Sequence, residues 1–172
     1  MEKDSARIID ASTAHRTAPG WAYGIPELSD MHKDAVVHAK FTANPGCHAS
    51  GFVIPVYPLV ASGMIPKETP LTVFSLTGYS GGGKKMIAEY ESPEKPELYN
   101  TPRIYGLSLK HKHLPEMQKI SGLAHTPMFV PVVCDYYCGM QVLVPLDLGL
   151  AGTTAEAVAS ALADYYKDVA TV

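Results

Sequence analysis

Residues 49 to 62, ASGFVIPVYPLVAS, carry no charged side chain. A stretch this apolar must be covered by the rest of the chain, and it suits a buried helix. Pro55 and Pro58 fall inside it. Each removes a backbone donor and crowds the carbonyl four residues back, so the run predicts a kinked or short helix. Gly63 suits the position just past its end. With 47% hydrophobic residues among 172, there is material for one substantial domain, or for one domain and part of a second.

Strand and helix signals alternate on either side of that run. Arg7 to Asp10 predicts a short buried strand, followed by a loop over Ser12 to Arg16. Trp21 to Leu28 carries Gly and Pro and reads as irregular. His32 to Thr42 is weakly amphipathic and leads into a strand end at Lys40 to Ala43. Leu71 to Ser75 predicts a strand that enters a glycine-rich loop, and a helix begins over residues 84 to 90. Residues 92 to 103 form a polar, Pro-containing loop. Tyr105 to Lys110 predicts a strand, and Pro115 and Glu116 open another helix. Met128 to Val133 and Met140 to Val144 are apolar and β-branched, as strands are. Thr153 to Asp168 predicts a helix, with Thr153 and Glu156 as a capping box and Val158, Ala161, Leu162 and Tyr165 on its apolar face. The pattern is α/β or α+β, with the strands in one mixed sheet.

Composition narrows the function. The net charge is −3 and no basic stripe occurs, so nucleic acid is not an expected partner. No segment has the length of apolar chain a membrane span needs, and the N-terminus lacks a signal-peptide pattern. Charged residues make up only 18%, which predicts a surface partly covered by another domain or subunit. Three cysteines argue against a disulfide framework and for a reducing, cytoplasmic setting.

Cys47 follows the sharp turn Asn44-Pro45-Gly46 and precedes the apolar helix. A helix N-terminus stabilises a thiolate through unpaired N–H groups and the helix dipole. Gly46 removes bulk, so a substrate carbonyl can approach. Taken alone, a free cysteine is most often a small buried hydrophobe. His111 and His113 are two apart, so an extended segment would set both on one face, where either could exchange a proton with a group at Cys47. Ser80-Gly81-Gly82-Gly83-Lys84 follows a strand and precedes a helix, and its free N–H groups with Lys84 suit an anion. It does not satisfy the P-loop pattern. Cys134 and Cys138 are spaced too loosely for a metal site, so they read as structural and no metal is expected. A thiol at a helix start, an anion loop and a histidine pair together suit thioester chemistry on an acyl phosphate.

Asn44 to Cys47, Gly78 to Lys84, Tyr105 to Leu107 and Lys110 to Glu116 resemble the N-acetyl-γ-glutamyl-phosphate reductases, in their shorter subtype. Arg7 to Arg16 and Trp21 to Gly24 extend the resemblance in order over nearly the whole chain. The resemblance implies a Rossmann NADP domain ending near residue 43, and a catalytic and dimerisation domain of semialdehyde-dehydrogenase type over 44–172. It implies NADPH-dependent reduction of an acyl phosphate through a Cys47 thioester, in a homo-oligomer, dimer or tetramer. His111 or His113 would be the acid/base, with His111 favoured because His113 stands nearer a helix start, where positive charge is disfavoured. Asn44, Ser80, Gly81, Gly82, Gly83, Lys84 and Glu116 would bind substrate or its phosphate, and Ser12, Thr13 and Gly46 the cofactor. The family's Gly-rich dinucleotide turn and its last segment are expected before Met1 and after Val172, so this chain by itself is not expected to bind NADP tightly. His48 stands where the family has Tyr, and Ala49-Ser50 where Pro-Thr is common. A non-catalytic domain, a sister reductase acting on aspartyl or acetylaminoadipyl phosphate, and a Cys-His hydrolase are the alternatives.

Overall fold

The computed structural model describes residues 6–172. The chain divides into two compact units. One runs through Thr69 and adds Lys112–Thr126 and Leu146–Val172; the other comprises Pro70–His111 and Pro127–Pro145.

In the first unit, β1 (Ile8–Asp10), β2 (Ala22–Tyr23) and β3 (Phe41–Ala43) form a sheet in the order β1-β3-β2. Both pairings are parallel. All three strands therefore release the chain at the same edge, into Ala11–Arg16, Gly24 and Asn44–Gly46. The Asn44 N–H donates to the Asp10 carbonyl at 2.7 Å, and the Gly24 N–H to the Ala43 carbonyl at 3.0 Å, so the ladder continues past the strands. β1 forms as expected but is not buried: Ile9 is 76% exposed. Among the described strands it lies at the sheet edge and pairs with β3 alone. The segment expected to be irregular holds β2 and a 3-10 turn over Pro26–Leu28.

Helix α1 (Asp30–His38) is capped by the Ser29 hydroxyl, which accepts from the His32 N–H. Helix α2 (Cys47–Ala61) passes through both prolines for fifteen residues. The expected shortening does not occur. Pro58 cannot donate to the Ile54 carbonyl, but the Tyr166 hydroxyl does, at 2.7 Å. The orphaned acceptor is thus satisfied from helix α6 (Ala155–Tyr166), which packs on α2. Phe52, Val53, Val56 and Leu59 are buried along α2. Each such side chain contributes about 1.5–3 kcal/mol when fully buried. Gly63 follows the helix with φ +76°.

Two expectations for the last helix need correction. The cap is Thr154, whose hydroxyl accepts from the Ala157 N–H at 3.2 Å. Ala157 has no side chain to return the bond, so Thr153 and Glu156 form no capping box. The buried tyrosine is Tyr166, while Tyr165 is exposed. The short helix α5 (Leu148–Ala151) precedes it. Helix α4 (Leu114–Ser121) has Pro in its first turn and Glu116 at its positive end, as read from sequence, and packs on α2.

The second unit carries a separate mixed sheet, so the strands are not in one sheet. Its order is β5 (Arg103–Ile104), β6 (Met128–Cys134), β4 (Thr72–Gly78), β7 (Met140–Leu143). The central pair β4–β6 is parallel and the outer pairs are antiparallel. Helix α3 (Gly83–Tyr90) follows β4. Tyr105 to Lys110 is a turn, not a strand. Gly106 and Leu109 take φ +67° and +57°, and the Leu109 N–H donates to the Gly106 carbonyl at 3.0 Å. Two left-handed residues so close together cannot continue an extended edge strand. Among the described residues, no helix is long and apolar enough to cross a membrane.

Candidate active site

The first unit gathers Gly46, Cys47, His48, His113 and Glu116. β3 delivers the chain to Gly46, which caps α2 in an extended conformation, and Cys47 is the first helical residue. The Cys47 thiol is free and exposed. It stands where the unpaired N–H groups and dipole of a fifteen-residue helix favour negative charge.

His113 caps α4, and Glu116 lies in the first turn of that helix. They are 3% and 1% exposed. A buried carboxylate needs donors, and Glu116 has them from three directions. Arg16 Nη1 donates to Oε1 at 2.9 Å. The Tyr23 hydroxyl and the Gly46 N–H donate to Oε2 at 2.9 and 3.0 Å. Arg16 Nε also holds the Asn44 carbonyl at 3.0 Å. One carboxylate therefore ties together the loop after β1, the end of β2 and the turn after β3. Burial, and next the Glu116 charge, push the Tyr23 phenol well above its ordinary range, so it remains a donor. His113 Nε2 lies 4.0 Å from Glu116 Oε1.

Gly46 is required by space. A Cβ there would lie 2.4 Å from His113 Nε2 and 2.5 Å from Arg16 Nη1. Beyond it, Cys47 Sγ and one imidazole nitrogen each from His48 and His113 lie within 4.8 Å of one another. His48 is 4% exposed, and its ring centroid is 5.4 Å from that of His113.

Ser12 and Thr13 are exposed in the loop after β1. The Ser12 hydroxyl and N–H both bond the Asp10 carboxylate. The hydroxyl bond, foremost, holds the Asp10 carboxyl below the usual carboxylate range. Asn44 is exposed, and its side chain donates to the Pro45 carbonyl at 3.3 Å.

Ser80 to Lys84 and His111 belong to the second unit. Residues Tyr79–Gly82 form a 3-10 turn before α3. The N–H groups of Gly78, Tyr79 and Ser80 donate to the carbonyls of Gly139, Tyr136 and Tyr137, and that of Gly83 to Ser80. The expectation of free N–H groups therefore fails at Ser80 and Gly83. A Cβ at Gly78 would lie 2.7 Å from the Tyr136 and Tyr137 carbonyl oxygens, so the close backbone approach accounts for that glycine. His111 packs edge-on to Phe129, with Tyr105 further off. No extended segment joins the two histidines: His113 has helical backbone angles and the residues before it turn. The shared face inferred from their spacing is thus absent.

Arg16 and Tyr23 were missed as site residues. The signal for them was indirect: an acid in a helix first turn between apolar positions needs buried donors from elsewhere.

The semialdehyde dehydrogenase dimerisation-domain family matches residues 47–172. The chain belongs to this family. Its relatives include the N-acetyl-gamma-glutamyl-phosphate reductase of Burkholderia orbicola (strain MC0-3), 41% identical over 98% of this chain and 54% of the relative. The enzyme of that name from Trichormus variabilis is 42% identical over 97% of this chain and 54% of its own length. The one from Rhizobium leguminosarum bv. trifolii is 45% identical over 95% and 54%. The chain spans about half the length of these curated relatives. Among solved structures, aspartate semialdehyde dehydrogenase II from Vibrio cholerae superposes with a TM-score of 0.59 at 16% identity, covering 83% of this chain and 50% of that one. That likeness is one of fold. The match to the family begins at Cys47.

Proposed function

We propose that this semialdehyde dehydrogenase domain supplies the nucleophile and the acid/base of an NADPH-dependent N-acetyl-γ-glutamyl-phosphate reductase. The observation that carries the proposal is the exposed Cys47 thiol at a helix start, with the buried His113 imidazole beside it. The names and 41–45% identities of the relatives support the choice of substrate.

In this reading His113 takes the Cys47 proton as sulfur attacks the γ-acyl carbon. The C–S bond forms, the C–O bond to phosphate breaks, and phosphate leaves, giving a thioester. A nicotinamide cofactor, which Ser12, Thr13 and Gly46 would hold, would supply the hydride that reduces this thioester. His113 then returns a proton to the developing oxyanion and removes it as the C–S bond breaks and the semialdehyde departs. This reverses the preference for His111: that preference weighed only the nearness of His113 to a helix start and assumed equal reach, whereas His113 is the histidine clustered with Cys47. Glu116 acts as a positioning residue. Its oxygens are engaged by Arg16, Tyr23 and Gly46, so it holds the Cys47 turn against His113 and is not assigned to substrate.

Ser12, Thr13 and Gly46 are assigned to the cofactor. They stand where parallel strands end, the edge at which open α/β sheets take dinucleotides. The all-parallel sheet supports reading residues 1–43 as the end of a nucleotide domain and 44–172 as the catalytic and dimerisation domain. Asn44, three residues before the thiol, is assigned to the acyl phosphate; Ser80, Gly81, Gly82, Gly83 and Lys84 belong to the second unit, where the Ser80 and Gly83 N–H groups are already engaged. The family's description supports a homo-oligomer.

The first half-reaction needs no cofactor and tests the proposal. The 172-residue chain is mixed with N-acetylglutamyl phosphate and followed by intact mass and phosphate release. The expected result is an acyl adduct on Cys47 with matching phosphate, both lost in Cys47→Ser. Phosphate release unchanged in Cys47→Ser would overturn it.

A further inference from the structure

We propose that Cys47, His48 and His113 form a binding site for a thiophilic divalent cation, Zn2+ in the first place, which caps the reactive thiol reversibly. The site does not depend on the reductase reading, since it requires only the donors and their spacing.

The three donor atoms, one sulfur and two imidazole nitrogens, already lie within 4.8 Å of one another. Zinc holds sulfur at about 2.3 Å and imidazole nitrogen at about 2.0–2.1 Å, which puts tetrahedral ligands about 3.3–3.7 Å apart. Closing the set calls for movement of about 1 Å. Cys47 is exposed and its χ1 rotation can supply much of that. The donor chemistry is selective. A thiolate with two imidazoles suits Zn2+ or Co2+ and not Mg2+ or Ca2+, which prefer oxygen.

The surroundings fit a dication that keeps one open position. His48 and His113 are buried, so their rings are held by packing, whereas the sulfur faces solvent and leaves room for a water as fourth ligand. Glu116 Oε1 lies 4.0 Å from His113 Nε2 and adds negative charge beside that ring. His48 and Cys47 are adjacent at the start of α2, and His113 reaches them from the start of α4. The site therefore joins two packed helices. In the bound form the thiolate lone pair is engaged by the metal, and Cys47 cannot attack carbon. A chelator restores it.

The test uses the 172-residue chain with metal alone. Co2+ should give a thiolate charge-transfer band and the intense visible bands of a tetrahedral ion, at about one ion per chain. Zn2+ should displace it and protect Cys47 from iodoacetamide, with the protection mapped by mass spectrometry and reversed by chelator. His48→Asn should weaken Zn2+ binding about tenfold or more. Because His48 is buried, its variant is first checked for folding. If it fails, Cys47→Ala and Cys138→Ser decide: the first should lose the charge-transfer band and the second should keep it. Zn2+ affinity unchanged in a folded His48→Asn, a band retained in Cys47→Ala, or no protection of Cys47 would overturn the proposal.

Discussion

Gly46 and His113 meet so closely that a Cβ on residue 46 would lie 2.4 Å from His113 Nε2. The same Cβ would press on Arg16 Nη1. Gly46→Ala must therefore displace the imidazole, the guanidinium or the turn that carries Cys47. Overpacking of this kind costs about 1–3 kcal/mol. The variant is expected to unfold at lower urea with an unchanged m-value, and to acylate Cys47 more slowly than the parent chain. Parent-like behaviour in both measurements would mean that the turn relaxes without moving His113.

Glu116 carries the second prediction. Its buried ion pair with Arg16 has side chains 1% and 9% exposed. Breaking such a pair from one side is expected to destabilise by about 3–5 kcal/mol, since the other charge stays buried. Arg16→Met should show a loss of that order in urea unfolding. Tyr23→Phe removes one neutral donor and leaves Arg16 and the Gly46 N–H in place, so about 1–3 kcal/mol is expected. Equal losses in the two variants would contradict the ranking of these donors.

The cysteines separate by position and exposure. Cys134 is buried, while Cys47 and Cys138 are both exposed. Only Cys47 opens a long helix, where a thiolate is favoured. Iodoacetamide at neutral pH should label Cys47 first, Cys138 more slowly, and Cys134 only on unfolding. Faster labelling at Cys138 would remove the helix-terminus argument for the nucleophile.

His32 gives a pH prediction with a defined sign. Burial lowers its pKa from 6.5 in the folded chain. Its ring bonds the Ser29 hydroxyl at 2.8 Å and meets Tyr57 edge-on. The unfolded chain then binds the proton more readily than the folded one. Stability from the neutral ring is present above pH 6.5 and lost as pH falls below it, towards the lowered folded value. Urea midpoints measured between pH 7.5 and 5 should fall less steeply in His32→Gln than in the parent. Parallel curves would exclude His32 as a source of the slope.

How far these features could be read from sequence depends on how local their causes are. Cys47 at a helix start was legible because the Asn44-Pro45-Gly46 turn and the apolar run adjoin it. Pro115 and Glu116 opening α4 were legible for the same reason. The unbroken α2 was not, because the group that satisfies Ile54 is Tyr166, over a hundred residues away. The donors of Glu116 were equally remote: Arg16 and Tyr23 come from the loop after β1 and from β2. The strand forecast at Tyr105 failed on Gly106 and Leu109, where a left-handed turn overrides a β-favouring composition. The second sheet followed from strand pairing that no local pattern specifies.

That failed strand matters most for the histidines. Spacing of two suggested a common face and so equal reach, which left the nearness of His113 to a helix start to favour His111. In the structure His113 shares a cluster with Cys47, while His111 lies among Phe129 and Tyr105 in the other unit. His113→Asn should slow acylation of Cys47 by N-acetylglutamyl phosphate by about 10²–10⁴-fold, the usual contribution of a positioned base. The loss should appear in the rate of acylation and not in the acyl-phosphate concentration needed. His111→Asn should acylate at close to the parental rate, with any defect appearing in the acyl-phosphate concentration needed. Circular dichroism and urea midpoints would establish that both variants fold. If His111→Asn carries the large loss in rate and His113→Asn does not, the cluster around Cys47 has a structural role and His111 is the base.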